Sequence, residues 1–280
     1  MIYVSLSACS NGLNKNKLPV MESLGQVLQK MGVEITGSDN LYAQENVYSV
    51  PATVRAENLL RSFSDDRNSY IFDVSGGDIA NEIIPYINFD TIKKSKAQFW
   101  GYSDLTVIIN AIYAISGKSS VLYQIRNISE YGDVKRRNEF ECYIRNGDNE
   151  LFRFPYKIYN GSQIKGTVIG GNIRCLLKLA GTPYFPDVDG KVLFLEALGS
   201  DLGQVITYLS QLKLMGVFDR ISGVLIGTFT QLEKTLSPDE TAMLVKQFSG
   251  NLPLAKTQLI GHGTDSKALT IGEEILLINE

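Results

Sequence analysis

The sequence predicts an α/β protein, and three patterns carry that prediction. Short apolar runs end in turns rich in glycine and serine. Between them lie stretches whose apolar residues recur at helical spacing, and the two alternate in order, as a parallel sheet with covering helices requires. The alternation holds to about residue 127 and returns after about 165. We therefore divide the chain into an N-terminal α/β domain over 1–127, a crossover over 128–165 and a smaller, β-rich C-terminal domain over 166–280.

The first strand is expected over residues 1–6, leaving through the turn Ser7-Ala8-Cys9-Ser10-Asn11-Gly12. A helix follows with Met21, Leu24, Val27, Leu28 and Met31 on its core face, and Gly32 ends it. Val33–Thr36 resumes as a strand, Val54–Phe63 as a helix, and Ser69–Val74 as a strand ending in Ser75-Gly76-Gly77-Asp78. Helix Ile79–Ile87 leads to the apolar Ala97–Trp100, then Gly101-Tyr102-Ser103-Asp104, then apolar positions 105, 108, 109, 112 and 115 of another helix. In the crossover, Asn146-Gly147 and Asn160-Gly161 read as hairpin turns. Beyond it come Thr167–Ile169, the turn Gly170-Gly171-Asn172, a helix over Ile173–Leu179 and the strand Val192–Glu196. A helix over Asp201–Met215 and the strand Val224–Gly227 follow. Ser237-Pro238-Asp239-Glu240 is a helix start with a capping box, and Ala255–Glu280 reads as short strands around Ile260-Gly261-His262-Gly263.

Composition narrows the function. Of 280 residues, 44% are hydrophobic, enough for a substantial core and for two domains. Thirty acidic residues against 27 basic ones, with the basic residues scattered, leave no phosphate-neutralising face. We expect no nucleic-acid partner. The N-terminal residues lack the pattern of a signal peptide and no run approaches membrane-spanning length, so a cytoplasmic protein without membrane association is expected. Three cysteines, Cys9, Cys142 and Cys175, with no Cys-x-x-Cys spacing, indicate neither a disulfide framework nor a zinc site. No metal is expected.

The strand, sharp turn and helix around Ser103 have the form of a nucleophile elbow, which lifts a serine hydroxyl above the sheet edge beside unpaired helix N–H groups. The fifth position is Leu105 rather than the glycine of the common pattern. By itself Ser103 reads more readily as a helix cap, with Asp104 complementing the dipole. His262 is the one histidine of the chain, and its flanking glycines leave an imidazole open to close approach. A lone histidine is more often structural. Glu196 ends an apolar strand, where a carboxylate commonly just emerges into solvent. Taken jointly, the three have a shared logic: a serine hydroxyl needs a base, and the base needs a partner to fix its tautomer.

Gly-Tyr-Ser-Asp-Leu-Thr at 101–106, Gly-Gly-Asn at 170–172, Ala-Gly-Thr-Pro-Tyr-Phe-Pro-Asp at 180–187, Leu-Phe-Leu-Glu at 193–196 and Gly-His-Gly at 261–263 resemble the LD-carboxypeptidase family. That family includes murein tetrapeptide carboxypeptidases and microcin C7 self-immunity proteins. The resemblance implies a Rossmann-like N-terminal domain, a β-rich C-terminal domain and a cytoplasmic homodimer with no cofactor. It implies Ser103 as nucleophile, His262 as general base and acid, and Glu196 as the group orienting the imidazole. An oxyanion hole from the backbone N–H groups of Asp104 and Gly77 is implied as well, with Gly76, Tyr102, Gly171 and Asn172 near the substrate. The implied activity is release of the terminal D-alanine from a murein tetrapeptide. The alternative is hydrolysis of a peptidyl or aminoacyl nucleotide, for which Phe152, Phe154, Tyr156 and Tyr159 could stack on a base, although packing between domains is the readier role for them. A catalytically silent peptide-binding module is a third reading. Arg55 and Arg174 are candidates by position only for a terminal carboxylate, and either reads more readily as a surface or interdomain ion-pair residue. The sequence departs from the family pattern at Ala197, at Thr264-Asp265-Ser266 and at Ser120-Val121-Leu122-Tyr123, where substrate groups would be gripped.

Overall fold

The computed structural model describes residues 1–129 and 131–279. Its first half follows the predicted alternation: β1 (Ile2–Ser7), α1 (Leu18–Lys30), β2 (Val33–Gly37), α2 (Ala52–Ser64), β3 (Asn68–Asp73), α3 (Phe89–Lys94), β4 (Gln98–Gly101), α4 (Thr106–Ser116) and β5 (Ser120–Leu122). The expected helix over Ile79–Ile87 is instead a 3-10 segment, Ala80–Tyr86, with Pro85 inside it. Proline lacks the N–H that an α-helical turn needs. Strands β2, β1, β3, β4 and β5 pair in parallel in that order. The order reverses between β1 and β3, which is where an open α/β sheet opens a crevice at its carboxyl edge.

The second half continues with α5 (Val134–Asn146), β6 (Lys157–Asn160), β7 (Gln163–Asn172), α6 (Ile173–Leu176), β8 (Val192–Ala197), α7 (Leu202–Leu214), β9 (Gly223–Phe229), α8 (Pro238–Ser249), β10 (Leu254–Lys256), β11 (Leu269–Ile271) and β12 (Glu274–Ile278). Strands β7, β8, β9 and β10 pair in parallel, with β12 and β6 antiparallel at the two edges. The capping boxes form at both expected helix starts, Asp201 with Gln204 and Ser237 with Glu240.

Both expected hairpins are absent. Asn146-Gly147 ends α5, with Gly147 at φ 73 as the left-handed cap. An Asn-Gly pair suits either role because each needs positive φ. Helix α5 escaped notice because only Arg136, Phe140 and Ile144 of it are buried, too narrow a stripe to register as a period. Asn160-Gly161 joins β6 to β7, but those strands lie far apart in the second sheet and do not pair. Gly170-Gly171-Asn172, expected as a turn, is the carboxyl end of β7, in register with Phe194, Leu195 and Glu196 of β8.

The two sheets share one core. Helix α4 is buried on nearly every side, as a helix packed between two sheets must be. Its Val107, Ile108 and Ala111 join Phe99 and Leu122 of the first sheet to Val168, Phe194 and Leu225 of the second. Ile115, expected on the core face, is 43% exposed. Strand β11, from the end of the chain, pairs antiparallel with β5 and completes the first sheet.

Candidate active site

Ser103 follows β4 with φ 55, a left-handed conformation that costs a non-glycine residue about 1–3 kcal/mol. The chain passes from extended Tyr102 into a 3-10 turn, Ser103–Leu105, and directly into α4. The turn presents the serine at the carboxyl edge of the first sheet. The Gly76-Gly77 loop lies against it: a Cβ built on Gly76 would stand 4.0 Å from Ser103 Cβ. Gly77 has φ 132, and a Cβ there would fall 2.2 Å from Asn11 Cγ, so only glycine lets this loop close on its neighbour.

Two networks hold this edge. Buried Asp73 accepts from Ser7 Oγ, from the Cys9 N–H, and from both the N–H and Oγ of Ser75, while Ser75 Oγ accepts from the Ser10 N–H. Burial raises the Asp73 pKa above the usual carboxylate value, with these donors opposing the rise. The second network surrounds Asp104, which is fully buried. Its Oδ2 accepts from Ser10 Oγ and the Ala80 N–H, and its Oδ1 from Lys178 Nζ at 2.5 Å. The Asp104 carboxylate is thereby held by one cation and two neutral donors.

Glu196 and His262 arrive from the second half. Glu196, in β8, is fully buried. Its Oε1 accepts from Asn172 Nδ2 at 2.9 Å, and its Oε2 lies 2.6 Å from His262 Nδ1. His262 Nε2 lies 3.2 Å from Ser103 Oγ. A carboxylate only accepts, so Nδ1 carries the proton and Nε2 is left as the acceptor facing the serine hydroxyl. The loop bearing His262 is fixed by the Gly261 N–H donating to Ser266 Oγ and by Asn127 Nδ2 donating to the Gly263 carbonyl. Tyr102 packs on the imidazole with ring centroids 4.5 Å apart.

The residues singled out in sequence thus converge: Ser103, Asp104, Gly76, Gly77 and Tyr102 from one sheet edge, Asn172, Glu196 and His262 from the other. Gly171 is part of the joint between them. A Cβ on Gly171 would meet Thr106 Oγ1 at 2.5 Å, and that oxygen accepts from the Asn172 N–H. Asn110 of α4 donates to the Gly170 carbonyl and accepts from the Gly170 N–H. Thr106, Asn110 and Lys178 were not identified from sequence. Their partners lie 60 or more residues away, so no local pattern marks them.

At other positions the structure favours the structural alternative over the binding one. Arg55 is buried and bonded to the Cys9, Ser10 and Ile79 carbonyls and to Glu82, so it is a structural clamp. Arg174 pairs with Asp78 and donates to the Gly77 carbonyl. Neither is available to a substrate carboxylate. Phe152 packs on Trp100 and Tyr143, Phe154 and Tyr156 pack against the shared core, and Tyr159 bonds Asp239. None of the four lines the cleft beside His262, among whose walls are Tyr102, Gln124, Arg126, Ser129 and Tyr131 and whose volume is about 340 Å³. Among the described residues, no group of three or more His, Cys, Asp or Glu side chains is placed to hold a metal ion, and no helix is long and apolar enough to cross a membrane.

This geometry has relatives. The chain is 26% identical to the probable murein peptide carboxypeptidase of Bacillus subtilis, a match covering 88% of this chain and 80% of that one. In fold it resembles an MccF-like protein from Bacillus anthracis (TM-score 0.86, 23% identity, 100% of this chain and 94% of that one). It also resembles a muramoyltetrapeptide carboxypeptidase from Oxalobacter formigenes (TM-score 0.81, 21% identity, 99% and 95%). The model of the LD-carboxypeptidase N-terminal domain matches residues 4–123 and that of the C-terminal domain residues 165–277. Matched in both halves by the two domains of one peptidase family, the chain belongs to the LD-carboxypeptidase family.

Proposed function

We propose that the protein is a serine carboxypeptidase that releases the terminal D-alanine from a murein tetrapeptide. The observation that carries this reading is the unbroken line from Ser103 Oγ through both nitrogens of His262 to buried Glu196, at 3.2 and 2.6 Å. His262 Nε2 takes the proton of Ser103 as its oxygen attacks the carbonyl of the last peptide bond. The carbonyl oxygen becomes an oxyanion and is received by the N–H groups of Asp104 and Gly77. The support for that placement is the contact of the Gly76-Gly77 loop with Ser103 and the neutralised Asp104 carboxylate. Collapse breaks the C–N bond, and the departing amine takes the proton from His262. A water, deprotonated in turn by His262, attacks the acyl-serine ester, releases the tripeptide and returns the proton to Ser103.

Mass spectrometry of lysine-type and diaminopimelate-type tetrapeptides incubated with the protein tests this. Loss of one alanine is expected from at least one peptide, with kcat reduced by a factor on the order of 10⁶ in Ser103→Ala. Turnover retained by Ser103→Ala would overturn the assignment. A second reading keeps the same three residues but takes a peptidyl or aminoacyl nucleotide as substrate. It is favoured by Tyr131, 65% exposed on the cleft wall, whose ring face is free to stack on a base. Cleavage of such a conjugate and of neither tetrapeptide would select it.

A further inference from the structure

The cleft beside His262 carries a positive charge that forms no salt bridge with any described residue. Several buried and half-buried cations are ion-paired, Arg55 with Glu82, Lys178 with Asp104, Lys256 with Glu233, and Arg136 and Lys267 with Glu139, while Lys118 and Arg137 donate to backbone carbonyls. Arg126 differs. It stands on the cleft wall in the segment after β5, and among the described residues it enters no ion pair; its Nε donates to the neutral Gln124 Oε1 at 3.1 Å. That bond fixes the plane of the guanidinium on the cleft wall.

The same wall holds two more donors without acceptors. Among the described residues Tyr102 Oη and Ser129 Oγ, both buried, find no hydrogen-bond partner, and both residues line the cleft, 4% and 1% exposed. Burial, reinforced by the charge of Glu196, raises the Tyr102 pKa well above the ordinary phenol value, so its hydroxyl keeps its proton. Burial also lowers the Arg126 pKa, against the attraction of Asp73, yet a guanidinium remains charged throughout the working range. Among the described lining residues none is acidic, and Lys17 adds a second cation. A desolvated cation flanked by idle hydroxyls is complementary to a multidentate anion.

We propose that Arg126, with the Tyr102 and Ser129 hydroxyls, binds an oxyanion group of the substrate beside the scissile bond. This deepens the reading above and rests on it for the identity of the reacting pair. A peptide C-terminal carboxylate and a nucleotide phosphoryl group both present the required oxygens. Arg126 is a specificity residue for the charged end of the substrate, the role for which Arg55 and Arg174 are unavailable. It lies just past Ser120–Tyr123, where the sequence departs from the family pattern.

Binding separates this proposal from the catalytic reading because it does not need turnover. In the Ser103→Ala protein, calorimetric titration compares a murein tetrapeptide with its C-terminal carboxamide, and adenosine monophosphate with adenosine. At least one anionic ligand is expected to bind tenfold or more tightly than its neutral counterpart. The pair that shows the preference identifies the source of the anion. Adding Arg126→Gln should erase the preference, and Arg126→Lys should keep part of it. No preference for either anion, or a preference unchanged in Arg126→Gln, overturns the proposal. Preference without tetrapeptide turnover by the unsubstituted protein contradicts the carboxypeptidase reading and leaves Arg126 in place. Turnover with an unaltered preference in Arg126→Gln does the reverse.

Discussion

Asn172 is the residue on which the second half of the site turns. Its side chain oxygen caps α6 through the Cys175 N–H, and its amide donates to Glu196, which in turn contacts His262. One side chain therefore sets both a helix start and the direction of a buried carboxylate. Replacing it with alanine leaves Glu196 Oε1 without that donor and frees the carboxylate to rotate away from the imidazole. We expect Asn172→Ala to lower kcat by about 10²-fold with KM little changed, the effect of a small misplacement in a reacting group. Steady-state kinetics on the cleaved peptide measures it, and an unchanged kcat would show that Glu196 is held by other means. Sequence placed Asn172 at the site, since it belonged to a readable motif. It gave no hint of Asn110, which looks like one polar residue in an apolar helix until its partner on β7 is known.

At the scale of elements, the site is a joint between α4 and β7. The helix that begins just after Ser103 and the strand that ends at Asn172 approach so closely that Gly171 has no room for a side chain. Gly171→Ala would push Thr106 aside and carry Asn172 with it. The expected cost is about 1–3 kcal/mol of stability, from strain at φ 142, read as a lower urea midpoint, together with reduced turnover. A normal midpoint and normal activity would mean that the joint is looser than the contacts indicate. Strands with strong apolar runs and helices with capping boxes were legible in the sequence because their signals are local. Helix α5 and the β6–β7 connection were not, because a narrow buried stripe and an Asn-Gly turn acquire meaning only from their long-range partners.

Across the whole molecule, the two sheets are interlocked rather than merely adjacent. Strand β11 crosses back to the first sheet, α4 packs between the two, and one apolar core runs through both. The arrangement brings Ser103 from the first sheet and the hydrogen-bonded Glu196 and His262 from the second half into register across a continuous interior. Residues 103, 196 and 262 are far apart in the chain, and their meeting depends on that interlock. The family resemblance in sequence pointed to these three, while Arg126 carries no local sequence signal and its place on the cleft wall follows only from the fold. The central claim is that Ser103 is activated by His262, and peptide mapping by mass spectrometry after fluorophosphonate treatment tests it most directly. The adduct is expected on Ser103 alone and is expected to vanish in His262→Ala; an adduct elsewhere, or none in the unsubstituted protein, would contradict it.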